Sequence, residues 1–266
     1  EKIVDVKTYN PYKNLKGLDL FKNALPLNVK NVKSKGKFMW FVFEKPNNPT
    51  KESNIYLMNG FGMEGIWSFE KPIHPIIKFI FEGGKEAWFG DSRHFGSLIF
   101  TDKRTELVQK ILKLAPDALK DEVNLDGIKK YKKPIVKVLM DQNAVVSGIG
   151  NYLVADILYM AKISPHQIAS KMSDNQIKNI KHAIEYLTKI CYQDNHTGYM
   201  IGLDKEQKKI KKKIYHPNIK LKEKTFQFKV YGIKKGLNPD GFKVKKEEII
   251  KGRMTHWVLE VQEEIK

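Results

Sequence analysis

The sequence predicts an α+β protein with an antiparallel β-sandwich followed by a mainly helical domain. Up to about residue 105, short runs rich in β-branched and aromatic residues alternate with turn signals. From residue 105 the spacing of apolar residues lengthens towards 3.6, which indicates helices. Strand character returns at residues 225–262. We therefore predict two domains, residues 1–115 and 116–266, with a hairpin from about residue 225 in the second.

Five runs in the first domain have the composition of strands. Turn signals separate these runs, and together they predict a sandwich or barrel of antiparallel strands. The runs are KIVDVKTY (2–9), NVKNVKSKGKFMWFVF (28–43), NIYLMNGFG (54–62), IIKFIFEGGKEAWFG (76–90) and SLIF (97–100).

Helices are predicted at residues 105–112, at 134–142, from Asn151 onward and over 173–193. Pro116 and Pro134 lie where helix starts tolerate proline. In the last helix, Ser173 and Gln176 have capping-box spacing. One face of that helix is predicted to be buried and contains Ile177, Ile180, Ile184, Leu187 and Cys191.

Charge is the strongest global signal, with 48 Lys and Arg against 30 Asp and Glu, a net charge of +18. Residues 205–253 contain 17 basic and 5 acidic side chains, so the excess is concentrated near the end of the sequence. The positive electrostatic potential of such a charge excess favours a polyanionic partner, most simply nucleic acid. The alternative is a lysine-rich composition that only keeps the protein soluble.

Composition also excludes several classes of protein. The longest apolar run, FMWFVF at 38–43, is too short to cross a bilayer, and no secretory leader opens the sequence, so we expect an intracellular, non-secreted protein. The single cysteine, Cys191, excludes an internal disulfide and a cysteine-built zinc site, and we expect it to be buried in a helix.

The stretch GIGN at 148–151 has the composition of an anion-binding turn. Glycines allow the backbone to bend sharply and to present amide groups at the start of a helix, where anions bind. Asn151 can cap that helix or extend its amide to a phosphate oxygen. With the preceding helix at 134–142, the turn predicts a phosphate clamp; an ordinary capped helix is the alternative.

Six segments, in order, resemble the motifs of the Fpg/Nei family of DNA glycosylases and extend over nearly the whole chain. The segment 134–166 is similar to that family's helix-two-turn-helix, and 225–262 to its C-terminal finger. Four segments resemble its N-terminal domain and interdomain motifs: KGKFMWFVF (35–43), GFGMEG (60–65), DSRHFG (91–96) and LAPDAL (114–119). The pattern is most similar to the Nei-like branch, including forms in large DNA viruses.

The resemblance implies a role for six side chains. Lys37, Asn151 and Arg253 would bind the phosphates around a nucleotide that is rotated out of the duplex. The space left in the stack would be filled by Met63, Arg93 and Phe95. Gly60 departs from the larger residue often found at its position in the family, and we read the lysine-rich loop at 205–213 as a general electrostatic contact.

The finger is expected to lack a metal, because none of the family's four usual cysteines is present in it. Two strands meeting at Asp240-Gly241 would hold the same shape by hairpin pairing, with Arg253 at the tip. The zincless finger of some Nei-like enzymes is similar. We expect no metal and no cofactor.

The chemistry implied by the resemblance has no assigned catalytic residue in this chain. The family's nucleophile is an N-terminal proline followed by a glutamate, whereas this sequence starts EKIVDVKTY, which resembles the strand after the family's first helix. We expect the Pro-Glu pair and that opening helix to be missing from this chain. Glu1 does not follow a proline, and an ordinary lysine such as Lys37 is almost wholly protonated at neutral pH.

Three interpretations remain open. The first is a truncated base excision repair glycosylase with abasic-site lyase activity, acting on oxidised bases, pyrimidines before purines. The second is a catalytically inactive protein that binds lesions, and the third is a basic structural or RNA-binding protein. The first predicts a monomer that binds damaged duplex DNA, in the nucleus or in a viral replication compartment.

Overall fold

A computed structural model describes residues 1–9, 15–47, 53–194, 219–223, 225–234 and 236–262 of the chain. The lysine-rich loop at 205–213 therefore lies outside the described residues. The chain divides into two compact units, Glu1–Lys113 and Leu114–Lys266. None of the described helices is long and apolar enough to cross a membrane.

Unit 1 is built on a nine-stranded sheet with the order β2-β9-β5-β4-β3-β1-β7-β8-β6. All neighbouring strands are antiparallel except β2 and β9. All five predicted runs form strands. The strands are β1 Lys2–Thr8, β2 Leu15–Lys16, β3 Leu27–Lys35, β4 Phe38–Glu44, β5 Ile55–Gly60, β6 Ile66–Ser68, β7 Pro75–Phe81, β8 Glu86–Gly90 and β9 Ser97–Thr101.

The sheet folds over on itself into the predicted β-sandwich. Strands β4 and β6 are far apart in the strand order, yet the rings of Phe41 and Trp67 lie 5.0 Å apart. Phe43 of β4 likewise packs edge-on against Phe79 of β7, with centroids 5.9 Å apart. These aromatic pairs join two layers and, with buried Ile, Leu and Val side chains, belong to the core of unit 1.

Two helices accompany the sheet in the described part of unit 1. Helix α2, Arg104–Lys113, is the helix predicted at 105–112. Helix α1, Leu18–Ala24, was not predicted. Its seven residues are too short for a periodic signal, and they are stabilised by burying Phe21 against Phe43 and Phe100, with ring centroids 5.0 and 4.8 Å apart.

The described part of unit 2 contains the helices predicted at 134–142, from Asn151 onward and over 173–193, together with a hairpin, but no helix begins at Pro116. Its helices are α3 Ile135–Met140, α4 Asn151–Met160 and α5 Asp174–Asp194, with short 3₁₀ turns at Asp126–Lys130 and Ala169–Lys171. The predicted capping box is confirmed, because Ser173 and Gln176 exchange backbone-to-side-chain hydrogen bonds of 2.9 and 3.2 Å. Cys191 is buried in α5, and burial raises the pKa of its thiol to about 12.

The hairpin of unit 2 has its turn at a different position from the prediction. Its strands are β10 Lys245–Ile250 and β11 Arg253–Trp257, so the turn is Lys251-Gly252, with Gly252 at φ +74°. Asp240-Gly241 makes a separate tight turn in which Asn238 N donates to Phe242 O over 2.8 Å. The turn predicted at Asp240-Gly241 is therefore present, but its assignment to the two strands of the hairpin was wrong, because an Asp-Gly pair signals a turn without specifying which strands it joins.

Candidate nucleic-acid interface

Three loops of unit 1 leave the sheet at the same end. Phe38 of β4 pairs with Gly60 of β5, and Gly60 pairs with Ser97 of β9. The turn before Phe38, the loop after Gly60 and the loop before Ser97 therefore emerge side by side. These loops contain Lys37, Met63, and both Arg93 and Phe95.

Met63 and Phe95 are exposed although both are large and apolar, with 54% and 60% of their surface accessible. The Arg93 guanidinium lies over the Phe95 ring, 5.0 Å from its centroid. Exposed apolar side chains grouped with a cation are unusual on a water-facing loop and typical of a binding surface. A flexible thioether, an aromatic ring and a guanidinium are also suited to contact unpaired or unstacked bases.

A buried carboxylate shapes the loop of residues 91–96. Asp91 is 1% exposed, and its two oxygens accept hydrogen bonds from the backbone N–H groups of Arg93 (3.1 Å) and Gly96 (2.7 Å). Between them His94 adopts φ +55°, a conformation that non-glycine residues rarely adopt. Asp91 thereby folds the loop tightly enough to project Arg93 and Phe95 outward.

The two apolar loops contact each other closely. A Cβ atom on Gly62, which has φ +61°, would lie 2.6 Å from the carbonyl carbon of Phe95, so this position requires glycine. The Ser92 hydroxyl donates to the Glu64 carboxylate across the same contact. The loops carrying Met63 and Phe95 therefore form one local structure.

Asn59 anchors this local structure to the sandwich. Its amide is fully buried and donates to the carbonyl of Ser97 over 3.0 Å. Its Oδ1 accepts a 2.9 Å hydrogen bond from the Trp67 indole. One side chain thus ties β5, β6 and β9 together directly beneath the exposed loops.

Lys37 is exposed, but it lies in the Gly36-Lys37 turn between β3 and β4 rather than in a strand. The run at 28–43, predicted as strand, is interrupted here because Gly36 has a φ of +55°, so the turn begins one residue before Lys37. The position leaves the lysine at the same end of the sheet as Met63 and Phe95.

In unit 2, Asn151 is the first residue of α4, and the N-cap position belongs to Gly150. Its amide does not cap the helix; Nδ2 donates to the backbone carbonyl of Met254 over 3.1 Å. Asn151 therefore joins the start of α4 to β11, the strand that begins with Arg253. Asn151 and Arg253 come from segments 102 residues apart in sequence, and the structure brings those segments together.

The glycine turn before α4 is braced by Gln142. Its Oε1 accepts a hydrogen bond from Gly148 N (2.8 Å), and its Nε2 donates to Ile149 O (3.0 Å). Gly148 has φ +100°, whereas Gly150 has φ −123°, an extended conformation open to any residue. Only the first glycine is therefore required by backbone geometry.

The hairpin presents Arg253 at its exposed end, immediately after the Lys251-Gly252 turn. Behind it, Glu247 contacts both His166 and the Trp257 indole, at 2.5 and 2.6 Å. Burial, and secondly the nearby charge of Lys246, lower the pKa of His256.

Three residues of the site have structural roles that the sequence did not predict. Asp91 and Gln142 stand inside motifs that the sequence singled out, but their bonding to backbone amides depends on loop conformation. Glu247 has no local signal, because its partners lie 81 and 10 residues away. Among the described residues, no group of three or more His, Cys, Asp or Glu is placed to hold a metal ion.

The described fold consists of a β-sandwich, followed by helices joined through a glycine turn and by a hairpin. Three family models match the chain, all of formamidopyrimidine-DNA glycosylase: the N-terminal domain at 1–98, the H2TH domain at 114–201 and the C-terminal domain at 217–263. Together they account for most of the sequence, and the chain belongs to the formamidopyrimidine-DNA glycosylase family.

Curated relatives have the same family name. The formamidopyrimidine-DNA glycosylase of Corynebacterium glutamicum (strain R) is 29% identical over 177 residues, which is 63% of this chain and 61% of the relative. That of Listeria monocytogenes serovar 1/2a is 32% identical over 162 residues, 57% of this chain and 56% of the relative. The matches thus span about three fifths of the relatives' length.

Solved structures of the family share the fold. MutM (Fpg) from Thermus thermophilus superposes with a TM-score of 0.74 at 20% identity, over 99% of this chain and 92% of that one. Lactococcus lactis Fpg in complex with abasic-site DNA gives 0.75 at 18% identity, over 99% and 93%.

Proposed function

We propose that this chain binds damaged duplex DNA in which the damaged base is rotated out of the stack. We further propose that the protein is a base excision repair glycosylase with abasic-site lyase activity. The observation that carries the proposal is the exposed group of Met63, Arg93 and Phe95, held in one local structure at the end of the sandwich. Their exposure would be unfavourable without a partner that covers them.

Phosphate binding in this proposal is assigned to Lys37 in unit 1 and to Asn151 and Arg253 in unit 2. Two of the three are supported by local geometry. Asn151 stands at the start of an α-helix, where anions are stabilised, and one of its two amide protons is used by Met254 O. Arg253 projects from a hairpin that is fixed to the same helix start.

Binding is tested by fluorescence anisotropy with three labelled probes: a duplex with a tetrahydrofuran abasic analogue, the undamaged duplex, and RNA of the same sequence. We expect the abasic duplex to bind at least about tenfold more tightly than either control, because the unstacked site admits the exposed side chains without the unpairing cost. Equal affinity for RNA would support the third interpretation, a general basic binder.

Lyase chemistry is tested by mixing the chain with DNA that carries an abasic site and adding borohydride. A covalent protein–DNA band would show that an amine of this chain forms a Schiff base with the sugar. Tight binding without a band would show that the chain binds abasic-site DNA while the lyase chemistry either requires residues outside this sequence, as in the first interpretation, or has been lost, as in the second.

For substrates we propose oxidised bases, with oxidised pyrimidines before purines, and a monomeric protein. The preference rests on the resemblance to the Nei-like branch, whereas the relatives' names refer to formamidopyrimidine lesions. Excision assays on the full-length protein with dihydrouracil, thymine glycol and formamidopyrimidine duplexes distinguish the two. Faster release of the formamidopyrimidine would overturn the pyrimidine preference.

A further inference from the structure

One acidic residue of the hairpin contacts three different neighbours. Glu247 lies in β10, and its Oε1 is 2.5 Å from His166 Nε2 and accepts a 2.6 Å hydrogen bond from Trp257 Nε1. Its Oε2 lies 3.4 Å from Lys245 Nζ. An ionised carboxylate only accepts hydrogen bonds, so the contact requires a proton on His166 Nε2.

These contacts connect the hairpin to the helical part of unit 2. Trp257 ends β11, whereas His166 lies in the segment after α4, and their rings meet edge to face at 5.6 Å. Glu247 therefore joins both strands of the hairpin to a segment outside it. Burial alone would raise the pKa of Glu247, but hydrogen bonding to His166 and Trp257, together with the nearby charges of His166 and Lys245, outweighs this effect, so that the pKa is lowered.

The connection extends to Arg253 through the strand ladder. Glu247 pairs with Thr255, a buried residue two positions after Arg253, and the intervening Met254 carbonyl is bonded to Asn151. The strand that begins with Arg253 is thus fixed at two points.

We infer that Glu247 is a positioning residue for Arg253: by joining His166, Trp257 and Lys245, it holds the hairpin in the orientation in which Arg253 meets a DNA phosphate. The inference rests on the proposed function. It makes a prediction opposite to simple electrostatics, because a negative charge on a phosphate-binding hairpin should by itself weaken DNA binding.

The first experiment compares Glu247→Gln with Glu260→Gln in the full chain, using the abasic-analogue duplex. Glu260 is an exposed residue of the same unit, so both variants remove one negative charge. We expect Glu247→Gln to weaken binding about tenfold, the effect of losing roughly one charge-assisted contact, and Glu260→Gln to leave it unchanged or slightly tighter. Tighter binding by Glu247→Gln would overturn the inference.

A double-mutant cycle separates positioning from a general structural role. In an Arg253→Ala background, Glu247→Gln should change the affinity less than about twofold, because the residue through which it acts is gone. The same tenfold loss in both backgrounds would overturn the inference while leaving the proposed function intact. If Arg253→Ala itself leaves binding unchanged, the proposed role of Arg253 fails, and the inference fails with it.

An NMR measurement distinguishes a local change at Trp257 from misfolding of the variant. The indole ¹H–¹⁵N signal of Trp257 should shift in Glu247→Gln and stay in place in Glu260→Gln, with both proteins keeping the Tm within a few degrees. Should Glu247→Gln fold poorly, Trp257→Phe keeps an aromatic side chain at this position and removes the indole donor together with one ring, and it should weaken binding in the same direction. Unchanged binding by a folded Trp257→Phe, together with an unshifted indole signal in Glu247→Gln, would overturn the inference.

Discussion

Asp91 is the residue on which the loop of residues 91–96 depends most. Replacing it with Asn exchanges one acceptor for a donor, so the N–H of Arg93 or Gly96 loses its buried partner. We expect Asp91→Asn to lower the unfolding free energy by about 1–3 kcal/mol and to weaken binding to the abasic duplex. Asp102→Asn, an exposed carboxylate of the same unit, is the matched control and should change neither urea unfolding nor anisotropy.

Phe95 and Phe89 give a direct contrast between a binding ring and a core ring. Phe95 is exposed, so Phe95→Ala should leave Tm unchanged and weaken abasic-duplex binding about tenfold, in line with roughly 1–3 kcal/mol per stacked base. Phe89 is fully buried, and Phe89→Ala should cost about 3–5 kcal/mol of stability. Equal losses of stability in the two variants, measured by thermal unfolding, would contradict the assignment of Phe95 to a binding surface.

Asp156 gives a pH dependence whose sign is set by burial. Its carboxylate accepts hydrogen bonds from the backbone N–H groups of Lys229, Val230 and Tyr231, yet desolvation dominates and raises its pKa to about 6. Since the pKa is higher in the folded chain than in the unfolded one, protonation favours folding. This contribution is fully present below about pH 4 and is lost as the pH rises through 6.

Comparison with Asp156→Asn isolates that contribution. As the pH rises from 4 to 7, the unfolding free energy of the wild type should decrease by about 1–3 kcal/mol relative to that of the variant. Urea unfolding at several pH values measures the difference, in which the titration of the other carboxylates cancels. Parallel pH profiles would show that the three N–H groups keep the carboxylate ionised throughout.

At the scale of elements, side-chain contacts fix the residues on both sides of the hairpin. Val230 and Val258 are buried together with Tyr159, and Phe242, Val244 and Val261 pack against them. We propose that these contacts and the Glu247 interactions hold the finger without a metal. EDTA should therefore leave both Tm and the affinity for the abasic duplex unchanged, whereas a metal-held finger would unfold and lose affinity.

The elements also show what sequence patterns can and cannot predict. The capping box of α5 is local chemistry, and it was predicted to the residue. The hairpin turn was misplaced from Lys251-Gly252 to Asp240-Gly241, because strand pairing depends on partners distant in sequence. Helix α1 was missed for the same reason, since its stability comes from Phe21 in the core. The six candidate site residues were proposed from motif resemblance and remain predictions; periodicity alone would have placed Met63 and Phe95 in the core.

At the scale of the whole molecule, net charge predicts the salt dependence of binding. A protein with charge +18 that binds phosphates releases counterions, so affinity should fall steeply with salt, with a slope of about −0.9 per phosphate contact in a log–log plot. Arg253→Ala should reduce the magnitude of that slope by about 1. The slope is measured by anisotropy between about 50 and 300 mM salt, the range where such effects are resolved. An unchanged slope in Arg253→Ala would exclude Arg253 from the phosphate contacts.

The buried Asn59 amide has a consequence for how quickly such a protein could inspect its substrate. Because Asn59 fixes the strand ends through Ser97 and Trp67, and Asp91 bonds to the backbone of the loop above them, the conformational entropy of that loop is lost during folding and not during each encounter. Loops that are already ordered need no slow conformational change when they contact a base pair. The time spent on each undamaged site would then be limited by opening of the DNA, which favours rapid scanning of long stretches between rare lesions.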